Sequence, residues 1–261
     1  MDLGLVDRQV MVTGASEGIG RGVADLFAAE GCRLVLVARG RDRLEAAARA
    51  LRDRHGVEVK TASEDLSDDS AALRLVAAFP EVDVLVNNAG AIPGGSLEHV
   101  SQQTWRKAWD LKVFGYIAMM REFYTAMIAR QRGVIVNVIG ASATAHDPSY
   151  AAGSTGNAAL EALTRTLGSK GPDHGVRVVG VSPGMVLTSR LEALLRVRAR
   201  ERFGDEARWT ELLAHAAFGR AAQVEEIAAS VVFLASPKSS YTSGAVLDLD
   251  GGFSRRHNWW G

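Results

Sequence analysis

Residues 9–22 read Gln-Val-Met-Val-Thr-Gly-Ala-Ser-Glu-Gly-Ile-Gly-Arg-Gly. An apolar run at 10–12 leads into a turn that contains Gly14, Gly18 and Gly20, and a helix-compatible segment then reaches Glu30. Glycines at such a turn let the backbone approach a pyrophosphate, and free N–H groups at a helix start favour its negative charge. This stretch therefore predicts a strand, a glycine turn and a helix that bind a dinucleotide.

Composition limits the classes of partner. The chain has 261 residues, with 30 Lys and Arg against 30 Asp and Glu, so its formal net charge is zero. This balance argues against nucleic acid or an anionic membrane surface as a partner and favours a small molecule. The chain start lacks the features of a signal peptide, and no apolar run approaches bilayer length, so we expect a cytoplasmic protein. Neither His nor Cys occurs at metal-ligand spacing, so no metal is expected.

Apolar β-type runs alternate with helical patterns along the whole chain. This alternation predicts an α/β fold, a doubly wound parallel sheet of about seven strands with helices on both faces. We find no repeat or linker, so residues 1–261 are expected to form a single domain. The predicted strands are 10–13, 34–38, 57–61, 82–87, 134–138, 176–181 and 245–249.

Two motifs together resemble the short-chain dehydrogenase/reductase family. They are Thr13-Gly14-x-x-x-Gly18-Ile19-Gly20 and Asn87-Asn88-Ala89-Gly90, and the resemblance runs from about Leu5 to Gly252. It implies a Rossmann-type fold and an NAD(P)-dependent oxidoreductase that moves a hydride between nicotinamide and a carbonyl or alcohol substrate. The cofactor-binding residues it implies are Gly14, Ser16, Glu17, Gly18, Ile19, Gly20, Asn88, Ala89, Gly90, Pro183, Gly184, Val186 and Thr188, together with Asp65 and Leu66 for the adenine.

The end of the second strand bears on the choice between NAD and NADP. Ala38 stands at the likely position of the acidic residue of an NAD site, and Arg39 follows it. A guanidinium suits a 2′-phosphate by charge and geometry, whereas a carboxylate repels it. Glu17 argues the other way, and Arg39 could equally be an exposed arginine that starts a helix. NADP(H) is favoured over NAD(H). Asp65 could bind the adenine, cap a helix, or do both.

The catalytic pattern of the family is incomplete. Gly140 stands where the resemblance places the catalytic serine, and Ser142 is either its substitute or an ordinary loop serine. Tyr150, the expected acid/base, follows Gly140 by ten residues, about three fewer than usual. The fourth residue after Tyr150 is Ser154 instead of the lysine that binds the nicotinamide ribose and lowers the pKa of the tyrosine.

Lys112 offers a replacement for the missing lysine. A long helix is predicted over 101–131, with Trp105, Trp109, Tyr116, Ile117 and Met120 on one stripe, and Lys112 falls on that stripe where the family has an asparagine. We hypothesise that the Lys112 ammonium fills the gap at Ser154 and reaches both the ribose and the Tyr150 hydroxyl. Alternatively, its stem packs along the stripe and its head pairs with a carboxylate such as Asp110.

The last third of the chain matches the family's closing region. Residues 188–217, here called the lid segment, lie where the family places its substrate lid. Its arginines could bind an acidic or acyl-carrier substrate, or they could form a solvated face among interspersed acids. In relatives the last helix and strand form an oligomer interface, so a homodimer or homotetramer is expected. The tail, 253–261, ends in Trp259-Trp260 and is predicted to pack on the lid segment or on a neighbouring subunit.

Two functions remain open at this stage. The first is an oxidoreductase with Tyr150 as acid/base, Lys112 as the cationic helper and Ser142 stabilising the oxyanion. The second is a catalytically impaired dinucleotide-binding protein with a structural or regulatory role, which the departures at Gly140 and Ser154 favour. A tyrosine whose pKa stays near 10 is a poor base at neutral pH, so the two functions differ in what stands near Tyr150.

Overall fold

The fold, given by a computed structural model that describes residues 1–214 and 216–255, is built on one parallel sheet. Its seven strands run in the order β3-β2-β1-β4-β5-β6-β7, and every neighbouring pair is parallel. The doubly wound sheet predicted from the alternation of runs is confirmed. The strands are β1 Gln9–Thr13, β2 Arg33–Ala38, β3 Val59–Ser63, β4 Val84–Asn87, β5 Gly133–Val138, β6 Val176–Pro183 and β7 Val246–Leu249.

Helices cover both faces of this sheet. They are α1 Gly18–Ala29, α2 Arg41–His55, α3 Ala71–Ala78, α4 Gln102–Trp109, α5 Gly115–Arg130, α6 Ser142–Ala145, α7 Ala151–Lys170, α8 Ser189–Phe203 and α9 Val224–Ala235. Side chains alternate along each strand, so Val10 and Val12 of β1 pack into one cluster with Phe27 of α1, and Met11 packs into the other with Phe123 of α5. Burial on both faces explains why the strands read as continuous apolar runs.

The third strand begins two residues later than its apolar run suggested. Helix α2 ends at His55, and Gly56 adopts the left-handed conformation that terminates it. The pairing with β2 then begins near Glu58, whose carbonyl accepts from the Leu34 N–H at 2.8 Å. Val57 packs against the core but lies outside the strand, because hydrophobicity alone does not report which residues form the ladder.

The predicted long helix is present with one irregular turn. The Ser101 hydroxyl caps α4 by accepting from the Thr104 N–H at 3.2 Å. Between α4 and α5 the chain forms a π-helical turn, Asp110–Phe114, that includes Lys112. Such turns insert one extra residue into the helical register and are frequent at functional sites. Lys112 therefore points in a direction that a regular helix would not give.

The cleft lies at the carboxyl ends of the strands. Strand β1 pairs with β2 on one side and with β4 on the other, so the connections diverge at this point in the sheet. Open α/β sheets bind ligands at such switch points. Helix α8 and the 3-10 turn Glu206–Leu213 stand beside the cleft and bury a small apolar cluster of their own around Leu195 and Leu213. No helix in the described ranges is both long and apolar enough to span a bilayer.

Candidate active site

The glycine turn between β1 and α1 leaves no room for side chains. Gly14 has φ +65°, and a Cβ there would lie 2.9 Å from Asn88 Nδ2. A Cβ on Gly20 would overlap both the Gly14 carbonyl and the Asn88 amide. The start of α1, the end of β1 and the end of β4 thus meet at backbone distance, which only glycine permits.

The same turn carries amide groups without acceptors. Helix α1 has no side-chain N-cap at Glu17, and in the described chain the N–H groups of Gly18, Ile19 and Gly20 make no hydrogen bond. Free N–H groups at the positive end of a helix form a site for a phosphate group. The turn, including Ser16, therefore fits the pyrophosphate of a dinucleotide.

Thr13 fixes the segment after β4. Its hydroxyl accepts from the N–H groups of Asn88 at 2.8 Å and Ala89 at 3.1 Å and donates to the Val86 carbonyl. Asn88 donates its side-chain amide to the Thr13 carbonyl at 3.0 Å. This network holds Asn88, Ala89 and Gly90 in the cleft wall, beside the glycine turn.

At the end of β2 the cleft is bordered by arginines. Arg39 is exposed, and Arg43 lies 3.3 Å from the Glu17 carboxylate. Because Arg43 faces Glu17, the carboxylate that argued against a 2′-phosphate has a counter-charge at the same place. Asp65 is exposed and accepts from the Ser67 N–H at 3.1 Å, which caps a turn and not a helix, since α3 begins at Ala71. Leu66 is buried and lines the cleft.

Tyr150 lies directly before α7, and its ring covers the α-carbon of Gly153. A Cβ built on Gly153 would overlap the ring atoms Cε1, Cζ and Cδ1 of Tyr150. The backbone is held by Gly95, whose N–H donates to the Ser149 carbonyl at 2.7 Å and whose carbonyl accepts from the Ala151 N–H at 3.2 Å. Burial raises the pKa of the Tyr150 phenol, and the charge of Arg190 opposes this shift.

Two tryptophans of the predicted helical stripe lie on the side of the Tyr150 ring that faces away from the cleft. Trp105 packs with Tyr150 around Ile92 and Ala152, and Trp109 donates its indole N–H to the Ala152 carbonyl at 2.9 Å. Both tryptophans belong to the packing of α4 on α7. They support the position of Tyr150 and do not line the cleft.

Ser142 and Asn157 form a pair next to Gly140. Asn157, on α7 and 4% exposed, donates its Nδ2 amide to the Ser142 hydroxyl at 2.9 Å. Gly140 has φ +146°, and a Cβ there would lie 2.8 Å from the same amide nitrogen. All three residues line the cleft together with Tyr150.

Lys112 is a buried cation in the cleft wall. It is 8% exposed, and its Nζ donates to the Val138 carbonyl at 2.7 Å and to the Tyr116 hydroxyl at 3.0 Å. The Tyr116 hydroxyl donates to the same carbonyl at 3.0 Å. The Lys112 stem packs against Gly90, where a Cβ would overlap it. Burial lowers the pKa of the Lys112 ammonium to about 7.

These contacts match neither the expected bond to Tyr150 nor the expected pairing with Asp110, while the reach to the ribose stays a prediction. Its head does not pair with Asp110, and no hydrogen bond in the described chain joins its Nζ to the Tyr150 hydroxyl. Ser154 stands outside the cleft lining, because its hydroxyl faces the Asp147 carbonyl at 3.4 Å. The gap assigned to Ser154 is therefore not where Lys112 points.

Asn157 was missed in the sequence. The signal that identifies it is the interval from Gly140: the family's usual spacing is about three longer than the ten residues that lead to Tyr150, so it leads to Gly153. Four residues further stands Asn157. The long helix thus carries a lysine and α7 carries an asparagine, with the two residue types exchanged relative to the resemblance. At Gly153, where the family's spacing expects the tyrosine, the space next to the backbone is filled by the ring of Tyr150, three residues earlier.

The far wall of the cleft follows β6. Pro183, Gly184, Val186 and Thr188 all line the cleft, and Gly184 is packed against Asp250, where a Cβ would lie 2.9 Å from the Asp250 Cβ. The Thr188 hydroxyl caps α8 by accepting from the Leu191 N–H at 3.3 Å. The whole cleft encloses about 810 Å³. Among residues 1–214 and 216–255 no cluster of three His, Cys, Asp or Glu could hold a metal.

Comparisons with known proteins agree with this site. A family profile described as enoyl-(acyl carrier protein) reductase matches residues 14–254. The chain is 35% identical over 245 residues to galactitol 2-dehydrogenase (L-tagatose-forming) of Cereibacter sphaeroides, covering 93% of each chain. It is 36% identical over 259 residues to cis-4-hydroxycyclohexanecarboxylate dehydrogenase of Sinomonas cyclohexanicum, covering 95% of this chain and 97% of that one.

A solved structure extends the likeness to three dimensions. L-Sorbose reductase from Gluconobacter frateurii, in complex with NADPH and L-sorbose, matches with a TM-score of 0.92 at 29% identity, covering 98% of this chain and 100% of that one. The glycine turn, the cleft at the switch point of the sheet and these relatives lead to one conclusion. The chain belongs to the short-chain dehydrogenase/reductase family and is an oxidoreductase.

Proposed function

We propose that this protein transfers a hydride between NADP(H) and a carbonyl or alcohol, with Tyr150 as the acid/base. The observation that carries the proposal is the placement of the Tyr150 ring on Gly153, in the cleft wall shared with Ser142. Because residue 153 has no side chain, this phenol would lie beside the reacting oxygen of a bound substrate. Tyr150 would thus act as the proton donor even though it precedes α7 and is held in place by packing on Gly153.

The cofactor would be held by the residues that leave space for it. The turn from Gly14 to Gly20 would take the pyrophosphate, Arg39 the 2′-phosphate, and the 183–188 segment the nicotinamide carboxamide, with Thr188 as a donor. Leu66 and Ala89 would flank the adenosine. NADP(H), when bound, supplies or accepts the hydride. Counter-charge on Glu17 from Arg43 supports NADP over NAD.

In reduction, Tyr150 would donate a proton to the substrate oxygen. Because burial raises the pKa of its phenol, Tyr150 stays protonated at neutral pH, as an acid for this step must. The Ser142 hydroxyl would donate a hydrogen bond to the same oxygen as charge develops on it. In the oxidation direction Tyr150 must lose its proton, and nearby cations would assist that loss.

Lys112 would act through its charge. Its ammonium is bonded to the Val138 carbonyl at the end of β5, so it would stabilise negative charge across the cleft wall without a direct bond to Tyr150. A buried amine with a pKa of about 7 is charged in only part of the molecules at neutral pH. The helper role is therefore expected to depend on pH in the neutral range.

The names of three relatives support a proposal for the substrate class. Galactitol, L-sorbose and a hydroxycyclohexanecarboxylate are named for three proteins that resemble this chain. We propose a polyol, a keto sugar or a hydroxy acid whose reacting group is a secondary alcohol or the matching ketone.

Tyr150→Phe tests the assignment. We expect turnover to fall by about 10²-fold to 10⁴-fold, the usual contribution of a general acid, while the Kd for NADPH measured by fluorescence stays unchanged. Tyr241→Phe, which alters a fully exposed tyrosine outside the cleft, is the matched control. Unchanged turnover in Tyr150→Phe, with wild-type activity present, would remove Tyr150 from the mechanism.

A second function has its own supporting observation. The Lys112 ammonium is occupied by Val138 and Tyr116, and in the described residues no cation is hydrogen-bonded to Tyr150. This arrangement favours a dinucleotide-binding protein with impaired catalysis. Tight NADPH binding without hydride transfer over a panel of sugars, polyols and hydroxy acids would support it, and turnover of any of them would exclude it.

A further inference from the structure

We propose that Asn157 is a positioning residue that turns the Ser142 proton toward the substrate oxygen; this inference rests on the proposed function. The Asn157 amide nitrogen can only donate, and it donates to the Ser142 oxygen at 2.9 Å. The hydroxyl of Ser142 therefore receives a hydrogen bond on its oxygen and keeps its own proton for another acceptor. Since Ser142 lines the cleft, that acceptor is the bound substrate.

The steric relation to Gly140 explains why Ser142 holds this role. A side chain at 140 would place its Cβ 2.8 Å from the Asn157 amide nitrogen, and the backbone there has φ +146°, which L residues rarely adopt. A side chain at position 140 is therefore disfavoured by the backbone angle and by the Asn157 amide, which would have to move. The same amide that closes this position orients the hydroxyl two residues later.

The hydrogen bond of the Asn157 side chain is made to Ser142. This side chain is buried, yet its carbonyl oxygen Oδ1 has no donor among the described residues. The half of the amide that is bonded is the half that contacts Ser142.

Asn157→Asp and Asn157→Ala test this proposal. An ionised carboxylate accepts hydrogen bonds only, so in Asn157→Asp the Ser142 proton turns inward, and we expect kcat to fall at least tenfold with KM for NADPH unchanged. Toward acid pH the new carboxyl protonates and becomes a donor, so kcat recovers. In a Ser142→Ala background Asn157→Asp should have no further effect. Asn157→Ala should keep the melting temperature within a few degrees and also lower kcat.

The outcomes separate this proposal from the function it rests on. If the wild-type protein turns over no substrate, the proposed function fails. If the wild type is active and Asn157→Asp lowers kcat equally at all pH values, or adds its full effect to Ser142→Ala, the positioning role is overturned.

A different observation, on α8, carries a second inference. Arg190, Leu194 and Arg198 follow one another at intervals of four residues and all line the cleft, so they form one face of the helix. Within residues 1–214 and 216–255 neither arginine has a carboxylate within ion-pair distance. By contrast, Arg196, Arg200 and Arg208 of the lid segment pair with Glu192, Glu206 and Glu211. Both arginines that α8 turns toward the cleft thus lack a counter-charge, whereas Arg202, which also has no carboxylate partner among the described residues, stacks on Phe203 outside the cleft.

Arg190 is also placed against the helix dipole. Thr188 caps α8, so Arg190 lies in its first turn, where a positive charge is unfavourable. A cation at this end of the helix needs a partner outside it. We infer that Arg190 and Arg198 bind an anionic group, a carboxylate or a phosphate, at the mouth of the cleft above Tyr150. This subsite would select acidic substrates, and it deepens the proposed function.

Two sources of the anion give different results. With a hydroxy acid and its primary amide as matched substrates, we expect Arg198→Ala and Arg190→Ala to lower kcat/KM for the acid at least tenfold and for the amide less than twofold. Arg202→Ala, at an exposed arginine that stacks on Phe203, is the control and should change neither. A loss of NADPH affinity in Arg190→Ala, with acid and amide equally affected, would assign the anion to the cofactor pyrophosphate. Unchanged parameters in both variants would overturn the subsite.

Discussion

The ring of Tyr150 occupies the space in which a side chain of Gly153 would lie. The two positions therefore compete for one place in the cleft, and Tyr150 holds it only because residue 153 has no Cβ. The phenol enters from the residue preceding α7, where φ −138° and ψ 41° direct it across the first turn. This relationship makes Gly153 as important to the site as the tyrosine itself.

Gly153→Ala should displace the phenol. The added methyl group overlaps the Tyr150 ring, and we expect turnover to fall by about 10²-fold or more, close to the loss in Tyr150→Phe, because proton donation is lost in both. The measurement is kcat with NADPH binding as the control for folding. The double variant Tyr150→Ala with Gly153→Tyr should regain part of the activity, since it places a phenol on α7 itself. Wild-type turnover in Gly153→Ala would contradict the proposed position of Tyr150.

Lys112→Met should stabilise the fold at neutral pH. The Val138 carbonyl keeps the Tyr116 hydroxyl as a donor, so the variant loses a buried charge and leaves no unpaired acceptor. The Lys112 pKa falls from 10.5 to about 7 on folding, so between these values the unfolded chain binds more protons and wild-type stability rises with pH. The gain in melting temperature, a few degrees for about 1 kcal/mol, should be largest at pH 7 or below and should vanish near pH 10.5.

The control for this series is Lys107→Met. Lys107 is exposed on α4, so its substitution should change the melting temperature little at any pH. A Lys112→Met variant that is less stable than wild type at pH 7 would show that the ammonium contributes more to folding than its burial costs.

The rate of carbonyl reduction should report the charge of Lys112. Because the pKa of Tyr150 is raised, its phenol remains protonated well above neutrality. In a plot of kcat against pH, the falling limb above pH 7 is therefore expected to reflect deprotonation of Lys112. We expect kcat of the wild type to decline through this limb and kcat of Lys112→Met to be low and flat, so their ratio approaches one near pH 9. A profile of Lys112→Met parallel to that of the wild type would assign the limb to another group.

Arg39→Ala should change the choice of cofactor. A charged hydrogen bond to a phosphate contributes about 1.5–3 kcal/mol, so the Kd for NADPH should rise roughly 10-fold to 100-fold while the Kd for NADH stays unchanged. Glu17→Gln should tighten NADPH binding, since it removes the carboxylate that Arg43 faces. Arg41→Ala, at an exposed position outside the cleft, is the control. Equal effects on both cofactors would place Arg39 away from the 2′-phosphate.

The order and nature of the main elements could be read from the sequence, because buried parallel strands are written as apolar runs and the glycine turn has a spacing of its own. All seven predicted strands are present, and β3 and β4 each begin two residues later than predicted, because Val57 and Val82 pack against the core without joining the strand ladder. Association into a dimer or tetramer stays a prediction. The prediction for Trp259-Trp260 lies outside the described residues.

The positions of the side chains around Tyr150 were harder to predict, for physical reasons. Lys112 was correctly placed on a long helix, but the partner of its ammonium depends on a π-helical turn that periodicity does not reveal. Asn157 was overlooked because counting started from Tyr150, and sequence spacing does not report that a ring can fold back over a glycine. Ser154 was chosen for the same reason, because it is the fourth residue after Tyr150. Side chains that occupy a neighbour's place become visible only in three dimensions.

The π-helical turn at Asp110–Phe114 has a consequence for insertions and deletions. Removing one residue from this turn would restore a regular α-helix, which the backbone accommodates easily, since α4 and α5 already lie end to end. Because the wide turn only absorbs the extra residue, α4 and α5 would keep their orientation, and the side chains within the turn, including Lys112, would point elsewhere. A scan of single-residue deletions should therefore find, at this turn, chains that accumulate as folded protein and are inactive. The number of residues in this turn, as well as their identity, would then determine the geometry of the site.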